Sequence, residues 1–122
     1  MKTKIINWLF EGIVLSIVIL LFTIFDHYFH GLEDKWSVPD YYFKDKIPFG
    51  FLWGVVGLFL VSRVSGLNIK ALILSGVVAM ALQTRYFLTG YPFDFVVIFL
   101  FIHFIILFVL SYIMFRLFKR YL

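Results

Sequence analysis

Apolar positions in this chain fall into four long runs rather than alternating with polar ones. The runs cover about residues 5–25, 49–64, 69–88 and 93–115, with polar residues gathered between them and at the ends. The first run gives roughly 31 Å of helix at ~1.5 Å per residue, which matches the hydrocarbon core of a bilayer. Unpaired backbone groups are prohibitive in lipid, and the two-residue alternation of barrel strands is missing, so each run predicts a transmembrane helix. The expected fold is therefore an all-α integral membrane protein of four transmembrane helices, arranged as two antiparallel hairpins in a single domain over residues 1–122.

The connections support this division. Ser65-Gly66-Leu67-Asn68 predicts a tight helical hairpin, with Gly66 as a left-handed C-terminal cap and Asn68 as an N-cap. Pro48 and Pro92 stand near the starts of runs, where a missing N–H costs nothing. Residues 26–47 form the long loop. Within it, the amphipathic stretch Leu32–Lys46 is expected to lie along the membrane interface, with Trp36, Tyr41, Tyr42 and Phe43 among the headgroups. The first run carries lysines ahead of it like a signal peptide, but it is too long, contains Glu11 and lacks a small-x-small site. It is expected to be retained.

Composition strengthens the membrane reading. Hydrophobic residues make up 63% of the 122, and charged residues only 15%, where a soluble domain carries about a quarter. The absence of cysteine excludes disulfides, thiolate catalysis and cysteine-based metal sites. The net charge of +4 comes from basic residues at the ends of runs, not from a patch, so lipid headgroups rather than nucleic acid are the expected counterions.

Charge also predicts orientation. Lys2, Lys4, Arg63, Lys70, Arg116, Lys119 and Arg120 share one side, whereas Lys35, Lys44, Lys46 and Arg85 share the other with six of the seven acids. The positive-inside rule then puts both termini in the cytoplasm, with a cell (plasma) membrane as the expected location.

Small residues mark where helices approach closely in lipid. Gly50, Gly54 and Gly57 in the second run, Ser75 and Ala79 in the third and Gly12 in the first are the expected packing positions. The second and third runs should form the centre. The fourth run, dense in Phe, Ile, Leu and Val, should face lipid or another subunit over much of its girth.

Polar residues inside the runs are costly unless paired and are the first candidates for function. Asn7, Glu11 and Arg63 form one expected cluster near the cytoplasmic side, as a register-fixing ion pair or a proton-binding carboxylate. His103 stands near mid-bilayer, with no other histidine expected at its depth. Arg85 and Asp94 flank the last turn and are expected to pair. Asp26, His27 and His30 share a face if the first helix continues, and imidazole and carboxylate suit a metal ion such as zinc, with Glu33, Asp34 or Asp94 completing the shell. A solvated helix end is the plainer reading of the same residues.

These features rank three functions. First comes an accessory or structural subunit of a larger membrane complex, in contact with lipid and with other membrane subunits or a second copy. Next is a small homo-oligomeric transporter or channel using Glu11 or His103, since four helices alone cannot enclose a hydrated path. An interfacial metal site at Asp26, His27 and His30 comes third. No catalytic set stands out, so an enzyme is not expected.

Overall fold

The structure is a computed structural model and describes residues 2–61 and 66–117, with side chains from Trp8 onward. The described residues form four α-helices and no strand: α1 (Lys2–His30), α2 (Tyr41–Leu60), α3 (Leu67–Thr89) and α4 (Phe93–Leu117), with one short 3-10 turn at Asp34–Trp36. Each helix runs antiparallel to its neighbours, and contacts close the ring α1–α2–α3–α4–α1. One end of the bundle carries the start of α1 and the end of α4. The other carries the 31–40 connection and the α3–α4 turn, and is called the loop end below.

The helix limits differ from expectation in ways that matter for the site. The first helix runs on past residue 25 to His30 and stops at Gly31, whose N–H reaches the carbonyls of His27 (3.2 Å) and Tyr28 (3.1 Å). Helix α2 begins at Tyr41, so Lys44, Asp45 and Lys46 are helical and Pro48 lies inside the helix rather than at its start. Only residues 31–40 remain as loop. Trp36 and Tyr42 fold back on the bundle: Trp36 meets Phe99 edge-on at 5.6 Å, and Tyr42 is buried beside Tyr86. Gly66 is extended (φ −80°, ψ 128°) at the N-cap position of α3, with Asn68 already inside that helix. The left-handed glycine is Gly90 (φ 95°), which ends α3 before the short turn into α4. Residues 62–64 of the expected second span, and Arg63 with them, lie outside the described residues.

Three helical segments are long and apolar enough to cross a membrane: Trp8–His30, Leu67–Thr89 and Phe93–Leu117. Helix α2 is not among them, because its first turns carry Lys44, Asp45 and Lys46. Residues 47–60 then leave roughly 21 Å of apolar helix, a length that a bilayer meets by thinning locally.

Burial follows four-residue steps on each helix, which is how helices in a bundle present one face inward. On α1 the stripe is Leu15, Ile19, Phe22, Asp26 and His30; on α2 it is Tyr42, Lys46, Gly50, Gly54 and Gly57. On α4 it is Phe95, Phe99, His103, Leu107, Ser111 and Phe115. The α2 glycines bring that helix against its neighbours. A Cβ on Gly54 would stand 2.6 Å from Leu15 Cδ1, and one on Gly57 would stand 2.8 Å from Leu74 Cδ1. Ser75 and Ala79 are fully buried on α3, whereas a Cβ on Gly12 would meet nothing within 4 Å. Helix α4 packs on both α3 and α1, and the α3–α4 interface is the most extensive, yet most of its girth faces outward as its composition leads one to expect. Its outer face, with Phe101, Ile105 and Val109, stays exposed, as do Leu20, Leu72 and Met80 on other helices.

Candidate functional site: a buried ion cluster

Near the loop end the four inward stripes each deliver a polar side chain to one place. Helix α1 supplies Asp26 and His30, α2 supplies Lys46, α3 supplies Tyr86 and α4 supplies His103, and each is at most 2% exposed. Asp26 is the hub. One carboxylate oxygen, Oδ2, accepts from the Lys46 ammonium in a direct ion pair. The other, Oδ1, accepts from His103 Nε2 at 2.7 Å and lies 3.3 Å from His30 Nε2.

The network also assigns the His30 tautomer. Its Nδ1 lies 2.7 Å from the backbone oxygen of Trp36, which can only accept, so Nδ1 carries the proton. Nε2 faces the Lys46 ammonium, the Tyr86 hydroxyl and the Asp26 carboxylate, all at 3.3 Å. On His103 the Nε2 proton goes to Asp26, and Nδ1 has no hydrogen-bond partner among the described residues.

Aromatic rings wall the cluster. The His30 ring stacks flat on Phe99 (centroids 3.9 Å apart, planes within 1°), and Phe22 meets His103 edge-on at 5.2 Å. The Lys46 ammonium stands 5.2 Å from the Phe43 ring centre and 5.1 Å from that of Tyr86, within cation–π range. Further out, burial and then a hydrogen bond with Tyr42 push the Tyr91 hydroxyl up to about 12, so it stays neutral at the rim. From His103 toward the termini the interior is mainly apolar, through Val18, Leu74, Val78 and Leu107, with the buried hydroxyls of Ser75 and Ser111 among them.

Of the expected metal set, Asp26 and His30 converge, but His27 does not. One residue on from Asp26, it faces outward, is exposed, and packs on Phe43 at 4.6 Å. The third ligand position falls to His103, and none of Glu33, Asp34 and Asp94 completes the shell. The ligand atoms of Asp26, His30 and His103 all lie within 4.8 Å of one another, close enough to hold a metal ion. His103 was expected to be alone at its depth. That expectation fails because the α3–α4 hairpin reaches past the end of α1. Asp26 is four residues from the end of its helix and His103 ten from the start of α4, so the hairpin outreaches α1 by roughly 9 Å.

Other expected pairs also change. Arg85 reaches Asp45 on α2 at 3.0 Å instead of Asp94, and its guanidinium lies 4.6 Å over the Tyr42 ring. Asp94 is exposed in the first turn of α4, where the helix dipole favours a carboxylate. Glu11 lines an open notch of about 120 Å³ between α1 and α2, with Trp8, Gly12, Val55, Leu58 and Phe59. The Asn7 side chain and Arg63, its expected partners, lie outside the described residues.

Lys46 and Tyr86 are the members that sequence reasoning left out. A signal for Lys46 was present: stepping back by four from Gly54 through Gly50 lands on it. Tyr86 follows in the same way from Leu82 and Val78.

No family model, curated protein or solved structure matches this chain. The class the fold and site define is a helical bundle with three helices able to cross a membrane and a buried ion cluster at one end. The particular role must come from that geometry.

Proposed function

We propose that the chain is a single-domain integral membrane protein in which residues 49–64 form the fourth span, and that it serves as a non-enzymatic accessory subunit of a larger membrane complex. The basic residues around the termini and the 62–66 connection support a cytoplasmic position for both termini in a cell membrane. One observation carries the functional reading: the buried charges turn inward and satisfy one another, while the outer helix faces are left apolar. A bundle built in this way offers surface to lipid and to neighbouring spans.

The test is native mass spectrometry of the chain extracted gently from its own membrane. Stoichiometric release with an unrelated membrane protein is the expected result; a chain that is always recovered alone overturns the subunit role. The chain has no cysteine, so single cysteines at positions 3, 34 and 121 test the orientation directly. Labelling of position 34 alone by a membrane-impermeant reagent on intact cells is expected.

A homo-oligomeric transporter with Glu11 or His103 at its pathway is the second reading, favoured by the Glu11 carboxylate in its apolar notch. Proton-driven uptake into liposomes that is lost in Glu11→Gln would establish it over the first.

A further inference from the structure

We propose that Asp26, His30 and His103 form a three-ligand site for a divalent ion of the zinc, cobalt and iron(II) class, and that the Lys46 ammonium and this ion occupy the site alternately. The proposal is independent of the subunit role. It begins with donor chemistry: two imidazole nitrogens and one carboxylate, without thiolate, suit borderline divalent ions rather than magnesium or calcium.

The distances fit. Tetrahedral ligands at ~2.0–2.1 Å from a metal stand about 3.3 Å apart. Asp26 Oδ1 and His30 Nε2 are already separated by 3.3 Å. His103 Nε2, at 2.7 Å from the same oxygen, moves back by a fraction of an ångström once its proton no longer bridges the two. That proton has a place to go, because His103 Nδ1 is without a partner.

Support around the ligands is a second, independent observation. The Trp36 carbonyl holds the proton of His30 on Nδ1 and aims the Nε2 lone pair into the cluster, the outer arrangement that metal-binding histidines use. Flat stacking on Phe99 fixes the ring plane. A pocket of about 110 Å³ at the loop end, lined by His27, Ser37 and Asp40, has His30 in its wall and brings the outside to within one side chain of the cluster.

Lys46 explains why the two cations must alternate. With its ammonium on Asp26 the carboxylate is already balanced. Adding a divalent ion beside that ammonium would leave two uncompensated positive charges in an apolar interior, so the ion enters only as the ammonium withdraws. A site that is open for a small fraction of the time binds with its affinity reduced by that fraction.

Cobalt(II) is the probe, because ligation by imidazole and carboxylate in a tetrahedral site gives visible d–d absorption. Lys46→Leu in detergent is expected to take up one cobalt per chain, roughly tenfold or more tighter than wild type. Adding His103→Phe is expected to abolish the absorption while helicity is retained. Equal uptake by wild type and Lys46→Leu, or uptake that survives loss of His103, overturns the proposal. Wild-type protein gives a second measurement that needs no variant. Saturating cobalt, but not magnesium, should expose Lys46 to an amine-acylating reagent read by peptide mass spectrometry. Unchanged acylation of Lys46 under cobalt also overturns it.

Discussion

Toward the termini, the helices of this bundle meet through shape: Gly54 lies against Leu15 and Gly57 against Leu74, and Ala71 and Ser75 are fully buried on α3. At the loop end the same four helices meet through charge, with Asp26 holding Lys46, His30 and His103 at once. Lipid supplies little hydrophobic drive between helices, so both halves depend on contacts that beat contacts with acyl chains. The halves should fail differently. A packing defect is shared among many small dispersion terms and can relax. A defect in the cluster strands a buried charge, which cannot.

The largest expected effect follows from that asymmetry. Asp26→Leu and Lys46→Leu each leave one ion buried without its partner and should each cost about 3–5 kcal/mol. The double variant should cost far less than the two together, since it removes both charges. What remains is mainly the His103 N–H, left without its acceptor at about 1–3 kcal/mol. Reversible unfolding in mixed micelles measures all three. Additive losses would show that the pair is not the unit that holds the loop end.

The packing half should respond next, and with dependence on neighbours. Gly54→Ala puts a methyl group 2.6 Å from Leu15 Cδ1, so the buried Leu15 side chain must shift, and should cost about 1–3 kcal/mol. Combining it with Leu15→Ala should recover part of the loss, because the intruding atom is gone. Gly12→Ala meets nothing within 4 Å and should lie within about 0.5 kcal/mol of wild type. Equal effects at Gly12 and Gly54 in the same micelles would contradict the close α1–α2 approach.

These two halves were unequally legible in the sequence. The packing half was open to reading, because Gly50, Gly54, Ser75 and Ala79 repeat at helical spacing inside apolar runs. So were the helical class and three of the four apolar segments. The ion cluster was only half visible. Asp26 and His30 share a face by spacing alone, but His103 joins them only through the relative reach of two helices, which no single run encodes. Lys46 was hidden for a different reason. Charge next to an apolar run reads as the wet end of a helix, so α2 was begun at residue 49 instead of Tyr41. Once α2 starts earlier, helical periodicity carries Lys46 inward with the glycines. His27 shows the converse: one residue from Asp26 in sequence, it turns about 100° away on the helix and leaves the site.

The smallest expected effect is the sharpest control, because α2 carries both kinds of ion pair on adjacent residues. Lys46 is 1% exposed against Asp26 at 0%, whereas its neighbour Asp45 is 52% exposed and pairs with Arg85 at 27%. Each is a single carboxylate–cation pair with one member on α2, and the largest difference between them is burial. Both side chains of the Asp45–Arg85 pair are partly exposed, so the surroundings screen them and each keeps alternatives when its partner is lost. Asp45→Asn should therefore cost about 0.2–1 kcal/mol, with a coupling to Arg85→Gln no larger than that. Raised salt should reduce the coupling further, while leaving the Asp26–Lys46 coupling almost unchanged, since buried pairs are screened much less. Asp94→Asn should show no coupling to Arg85, because the carboxylate that Arg85 reaches is on α2. A coupling at Asp45 as large as that at Lys46 would mean that the contrast between the pairs does not come from burial.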